Sequence, residues 1–165
     1  MKTVCLVRHA KASRDDPLLR DFDRPLTARG QNQAPWLGQR LKEANVHPGV
    51  VISSPAKRAM ATAEILAAKI QYPQEEIIVE PAVYESGMSA ILRVVKNIAP
   101  AHDVAVVVGH NPALSDLMYY LSRRELAELP TGGIACLEFD VDSWRKIARG
   151  KGAVLFCDAP PKEKE

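Results

Sequence analysis

Short runs of β-branched and other apolar residues alternate with helix-period segments along most of this chain, and few architectures accommodate that alternation. The clearest run is Val104–Val108, broken only by Ala105. Its continuous apolarity predicts a strand buried on both faces. Thr3–Val7 and Gly49–Ser53 read the same way, and Glu76–Glu80 reads as a further strand. Between them lie segments with apolar residues three and four apart. Thr27 is placed to cap a helix from Arg29 to Ala44, with Ala34, Leu37, Leu41 and Ala44 on one face. Ser54-Pro55 predicts a helix start, with Ala56, Met60, Ala63, Ala67 and Ile70 facing inward. Met88–Ile98 and the segment after Asn111-Pro112 complete the set, the latter with Leu114, Leu117, Met118 and Leu121 turned to the core. Repeated strand–helix units require a mainly parallel sheet with helices on both faces, a three-layer α/β/α sandwich.

After Pro130–Gly133 the pattern changes, and Ile134–Val141 and Ala153–Cys157 predict an antiparallel edge pair. Asp15 to Pro25, rich in charge and proline, is expected to be a loop, and Asp158–Glu165 a frayed polar tail. No repeat or linker divides the chain, so residues 1–157 are expected to form a single domain, with 158–165 as the tail. A length of 165 residues suits one core.

A net charge of +2 is too small to argue for nucleic acid or an anionic membrane. No apolar stretch is long enough to span a bilayer, and no cleavable leader is recognisable. The three cysteines, Cys5, Cys136 and Cys157, each sit in an apolar run without metal-ligand spacing. They are expected to be buried, reduced thiols, with neither a disulfide framework nor a zinc site, which suits a reducing cytoplasm.

Ligands of such sheets bind beyond the carboxyl ends of the strands, and three of those ends carry one kind of chemistry. The first ends in Arg8-His9. The second runs into Ser53-Ser54-Pro55, with Arg58 one turn into the next helix. The strand at Val104–Val108 ends in Gly109-His110-Asn111. Folding does not require two arginines and two histidines on one edge. Arginine offers rigid, permanently charged forks to phosphate oxygens, and helix N-termini add unpaired amides. Histidine, with an ordinary pKa near 6.5, can be a neutral nucleophile. Taken singly, a histidine at a strand end is more often a hydrogen-bonded structural residue. A pair of histidines also raises metal binding, but no cysteine or carboxylate has matching local spacing. The conjunction of four residues carries the argument.

Those residues lie in a set of ordered motifs. Leu6-Val7-Arg8-His9-Ala10 resembles the signature of the histidine phosphatase superfamily. Arg24-Pro25-Leu26-Thr27-Ala28-Arg29-Gly30, Ser53-Ser54-Pro55-Ala56-Lys57-Arg58-Ala59, Thr62-Ala63 and Val108-Gly109-His110-Asn111-Pro112 resemble its later blocks in order. The compact length and Leu129-Pro130-Thr131-Gly132-Gly133 resemble the SixA-like phosphohistidine phosphatase branch. The resemblance implies a phosphoglycerate mutase-like fold and a phosphohydrolase that works through a covalent phosphohistidine. His9 would attack phosphorus in line, while Arg8, Arg58 and His110 hold the equatorial oxygens, with no metal or cofactor. Many members have glycine where this chain has Ala10, so a positive φ is not expected there.

The general acid is the open position. Glu85, in Val83-Tyr84-Glu85-Ser86, is the candidate, with Asp21 and Asp23 as further carboxylates and an exposed loop glutamate as the plain alternative for Glu85. Ser13 and Arg24 could add phosphate contacts from the first loop, though Ser13 also suits a turn and Arg24 could pair with Asp21 or Asp23. Tyr84, Trp36 and Trp144 are assigned to packing. Loss of nitrogen from phosphorus needs little help once the imidazole is protonated, so an uncertain acid favours phosphohistidine in a protein as substrate. A small phosphorylated metabolite and a non-catalytic phosphate-binding module are the alternatives. A monomer without nucleic-acid or membrane partners is expected.

Overall fold

The computed structural model describes residues 1–162. In chain order its elements are β1 (Lys2–Arg8), α1 (Ala28–Glu43), β2 (Val50–Ser53), α2 (Lys57–Lys69), β3 (Ile78–Val79), α3 (Met88–Lys96), β4 (Val104–Gly109), α4 (Ala113–Ser122), β5 (Ile134–Phe139) and β6 (Ala153–Asp158). They build one six-stranded sheet in the order β3-β2-β4-β1-β5-β6. The β3-β2-β4-β1 part is parallel, and β5 and β6 continue it antiparallel.

Alternate residues of the central strands feed two cores. Val4, Leu6, Ile52, Ala105 and Val107 pack with α3 and α4. Cys5, Val7, Val51, Val106 and Val108 pack with α1 and α2. Both faces are therefore covered, which explains why β1 and β4 read as unbroken apolar runs. Each large aliphatic side chain so buried contributes about 1.5–3 kcal/mol. In register, Arg8 stands beside Gly109, and Val108 lies between Val7 and Ser53. The carboxyl ends of β1, β4 and β2 thus finish level, and Arg8-His9, Gly109-His110 and Ser53-Ser54 leave the sheet side by side.

Several expectations change in detail. The strand expected over Glu76–Glu80 is reduced to Ile78–Val79, because Gln74–Glu76 forms a 3-10 turn. It has a neighbour on one side only, and both of its side chains are 47% exposed. Helix α2 starts at Lys57 rather than at Pro55, and the Ser54 hydroxyl accepts from the Ala56 amide instead of capping the helix. Its inner face is Arg58, Ala59, Thr62, Ala63, Leu66 and Ala67, while Met60 and Ile70 are only partly buried. Hydrogen bonding causes this rotation: the Thr62 hydroxyl donates to the Arg58 carbonyl at 2.7 Å and accepts from the Ala10 amide at 3.0 Å. Asp158, expected in the tail, belongs to β6 and pairs with Arg40. The last tail residues, 163–165, lie outside the described residues.

The cysteine reading is corrected. Cys5 and Cys136 are fully buried but joined by a disulfide, and Cys157 is exposed. The pair is 131 residues apart in sequence and meets only because β1 and β5 place the two residues opposite each other. Neither their number nor their spacing carries that information, and the argument for a reducing compartment loses its support.

Candidate active site

His9 lies at the floor of a cavity of about 210 Å³ at the level ends of β1, β2 and β4. Its ring is nearly buried, with 8% exposure. The Nδ1 atom lies 2.8 Å from the Ala10 carbonyl oxygen, which can only accept, so Nδ1 carries the proton. Nε2 therefore holds the lone pair, and Arg58 Nε donates toward it at 3.4 Å. Burial, with His110, Arg58 and Arg8 nearby, pushes the pKa of His9 down to about 3. The ring is thus neutral across the physiological range, with one nitrogen locked as donor and the other presented to the cavity.

His110 is fixed by the same logic. Its Nδ1 faces Arg58 Nη2 at 3.4 Å; arginine only donates, so Nε2 is the protonated nitrogen and donates to the Ser54 hydroxyl at 2.9 Å. Burial first and Arg58 second lower its pKa to about 4. The two histidine rings stand 5.1 Å apart between centroids.

The two arginines are held by different means. Arg8 Nη1 donates to the Leu129 carbonyl at 3.0 Å, and burial lowers its pKa. Its Nε is buried without a hydrogen-bond partner among the described residues. A clip fixes Leu129 in turn. Asn111 Nδ2 donates to the same carbonyl at 2.8 Å, Asn111 Oδ1 accepts from the Ser115 hydroxyl at 2.9 Å, and that hydroxyl accepts from the Leu129 amide at 3.1 Å. Arg58 instead donates through Nη1 to the Asp21 carbonyl at 2.6 Å and through Nη2 to Asp21 Oδ2 at 2.9 Å. Arg24 Nη1 donates to Asp21 Oδ1 at 3.0 Å, and the Tyr84 hydroxyl donates to Oδ2 at 3.0 Å. Partial burial opposes ionisation of Asp21, but the bonds from Arg24, Arg58 and Tyr84 outweigh it and hold its pKa at about 2. Burial and the bond to Asp21 raise Tyr84 to about 12, so it remains a donor.

The structure therefore brings Arg8, His9, Arg58, His110 and Arg24 together around one cavity, with Asp21 at its rim. Ser13 and Glu85 do not line it. The Ser13 hydroxyl accepts from the Asp15 amide, its carbonyl accepts from Arg24 Nε, and the residue shapes the loop. Glu85 is exposed at a positive φ of 56° and makes no side-chain hydrogen bond among the described residues. Of the two carboxylates offered to Arg24, Asp21 takes it and Asp23 pairs with Arg20. Thr27 caps α1 by accepting from the Gly30 amide at 3.0 Å. Gly30 is obligatory for a further reason: a Cβ there would stand 2.2 Å from the Lys11 carbonyl oxygen, in the loop that lines the cavity. Sequence reasoning missed Asn111, the Leu129 carbonyl and the polar role of Tyr84. It also missed Lys11 and Arg14 on the rim, where the run Lys11 to Arg14 after the strand end was the available signal. A larger cavity, about 470 Å³ between β2–β3 and α3, is lined mostly by aliphatic side chains and gathers no comparable charge.

The profile of the histidine phosphatase superfamily (branch 1) matches residues 4–91. The chain belongs to this superfamily. An uncharacterized protein of Picosynechococcus sp. (strain PCC 7002) is 33% identical over 110 residues, 66% of this chain and 66% of that protein. The chain thus spans about two thirds of that relative's length. Among solved structures, the putative phosphohistidine phosphatase SixA of Nakamurella multipartita superposes with a TM-score of 0.83 at 25% identity, covering 96% of each chain. The protein histidine phosphatase SixA complexed with tungstate gives 0.81 at 22% identity, covering 95% of this chain and 96% of that one. The fold is the phosphoglycerate mutase-like α/β fold, SixA-like in its proportions.

Proposed function

We propose that the protein removes phosphate from phosphohistidine in a protein substrate, through a covalent intermediate on His9. The carrying observation is the locked tautomer of His9. With Nδ1–H held by the Ala10 carbonyl, the Nε2 lone pair faces a cavity bounded by Arg8, Arg58 and His110. Nε2 attacks phosphorus in line while Arg8 and Arg58 take the equatorial oxygens; the buried, unpaired Nε of Arg8 suits one of them. The P–N bond to the substrate breaks as the new P–N bond forms. Water then attacks phospho-His9, and inorganic phosphate leaves.

His110 presents an acceptor nitrogen to the cavity when neutral. A phosphoryl anion beside it offsets the neighbouring arginine charges and raises its pKa against the effect of burial, so it takes up a proton and then donates to an oxygen. Among the described residues no carboxylic acid stands ready to protonate a poor leaving group: Glu85 lies outside the cavity and Asp21 is held ionised. An ester would suffer from that, whereas a phosphorylated imidazole that already carries a proton on its other nitrogen would not.

Incubation with a phosphodonor followed by acid and base treatment tests the intermediate. The expected result is acid-labile, base-stable label on wild type and none on His9→Ala; equal labelling removes His9 as nucleophile. Phosphate release from a phosphohistidine carrier protein is expected to outpace release from sugar and glycerate phosphates, and the reverse order would make a small metabolite the substrate.

A further inference from the structure

Asp21 is an anomaly in this cavity, because among the described residues every other charged side chain lining it is a cation. A carboxylate repels phosphoryl oxygens, so its presence calls for a donor or cation on the substrate. Arg58 relates the two ends of the site: its Nε points to His9 Nε2 at 3.4 Å and its Nη2 to Asp21 Oδ2 at 2.9 Å. Asp21 thus stands a guanidinium's width beyond the nucleophile, and it is at the mouth, its side chain 49% exposed against 8% for His9 on the floor. In-line attack from the floor expels the leaving group toward the mouth. From a near-attack contact of roughly 3–3.5 Å, the departing atom lies about 5 Å from His9 Nε2, and an imidazole reaches further still. The carboxylate also has capacity to spare. Of about four acceptor positions, Arg24 takes one on Oδ1, and Arg58 and Tyr84 take those on Oδ2.

We propose that Asp21 receives the leaving imidazole, accepting a hydrogen bond from the ring nitrogen that does not carry phosphorus, and thereby selects phosphohistidine over phosphate esters. This rests on the phosphohistidine reading above. In the step, the lone pair of His9 Nε2 forms the new P–N bond and the electrons of the old P–N bond return to the substrate ring. The proton on that ring's other nitrogen stays in place, so a neutral imidazole departs. Asp21 does for the substrate ring what the Ala10 carbonyl does for His9, which keeps its own distal proton through the second step. The two half-reactions become near mirror images, each expelling a neutral imidazole with its far N–H already bonded. An ester leaving group has no such N–H and departs with negative charge, which the carboxylate opposes.

The test compares phosphoimidazole with p-nitrophenyl phosphate on wild type, Asp21→Asn, Asp21→Ala and Asp21→Glu, with tungstate binding and circular dichroism as folding controls. The ratio of kcat/KM values, phosphoimidazole over ester, is expected to fall at least tenfold in Asp21→Asn and Asp21→Ala and to recover in part in Asp21→Glu. If both substrates decline by the same factor, Asp21 acts only by holding Arg58 and the proposal is overturned. Wild type that fails to hydrolyse phosphohistidine sinks the substrate reading itself; wild type that succeeds while the variant ratio stays put sinks this inference alone.

Discussion

Arg8 and Arg58 face the same cavity, yet the molecule holds them in opposite ways. Arg8 leaves the end of a buried strand and rests on a neutral carbonyl, that of Leu129, which Asn111 and Ser115 fix from behind. Its brace is made of backbone, amide and hydroxyl groups, and Glu128 acts on Arg8 only through its charge, without a hydrogen bond. Arg58 comes from the first turn of a helix and rests on Asp21, a half-exposed residue of a long loop whose carboxylate also gathers Arg24 and Tyr84. A neutral brace fixes direction and cancels little of the positive charge, since Glu128 acts on Arg8 without pairing with it. A carboxylate brace fixes direction too but cancels part of that charge. The lesson is that position and charge are supplied separately, and that Arg58 gives up some attraction for phosphate in exchange for a negative group at the mouth.

The largest effect that can break this contrast comes from deleting either arginine. With p-nitrophenyl phosphate as substrate, Arg8→Ala is expected to cost about 3–4 kcal/mol of transition-state stabilisation, the loss typical of one preorganised donor. Arg58→Ala is expected to be worse by up to about tenfold in kcat/KM, because it also leaves Asp21 without its strongest partner beside the incoming oxyanion. The double variant Arg58→Ala/Asp21→Ala then regains activity over Arg58→Ala alone. Steady-state kinetics decide it: an Arg58→Ala no worse than Arg8→Ala, with no recovery in the double variant, would mean that the carboxylate is electrostatically irrelevant.

Acid sharpens the contrast from another direction, since the titrating groups crowd around Arg58. His9 and His110 have folded-state pKa values of about 3 and about 4, below the unfolded value near 6.5. Between those limits the unfolded chain binds more protons than the folded one, so stability is complete above pH 6.5 and is lost as pH falls toward 4. Asp21, depressed to about 2, adds a loss of the same sign only below about pH 3.8. Urea unfolding at pH 6.5 and 5 is expected to differ by roughly 2–4 kcal/mol, at up to ~1.4 kcal/mol per pH unit for each histidine. His110→Asn should show about half that slope. An unchanged slope would place the burden on other groups.

How much of this was legible beforehand follows from the kind of interaction involved. The strands and the level ends of β1, β2 and β4 were readable because both-face burial writes itself into the sequence as unbroken β-branched runs, and Arg8, His9 and His110 were readable because they follow those runs directly, with Arg58 in the first turn of the helix that follows β2. The inward face of α2 was misread because Arg58 and Thr62 are turned inward by hydrogen bonds rather than by hydrophobicity. The Cys5–Cys136 bond depends on cross-strand register. The brace of Arg8 is a main-chain carbonyl, which no side-chain identity announces. Asp21 was noticed as a spare acid and as a possible partner of nearby Arg24, but not as the brace of Arg58, since Arg58 and Tyr84 lie 37 and 63 residues away and meet it through loop conformation alone.

Tyr84→Phe is the smallest and most selective probe of the Arg58 side. The ring packs edge-on against Phe22 at 5.3 Å and against His110 at 5.6 Å between centroids, contacts that phenylalanine retains. Only the hydroxyl, which donates to Asp21 Oδ2 at 3.0 Å, is removed. Its acceptor is charged but 49% exposed, so solvent replaces much of the bond and the net loss should stay below about 1 kcal/mol. That corresponds to a two- to fivefold fall in kcat/KM, with the melting temperature nearly unchanged. A fall of tenfold or more would show that Asp21 holds Arg58 only while the loop bearing Tyr84 holds Asp21. The brace would then be a relay between two loops instead of a single ion pair, and its difference from the rigid carbonyl behind Arg8 would be greater still.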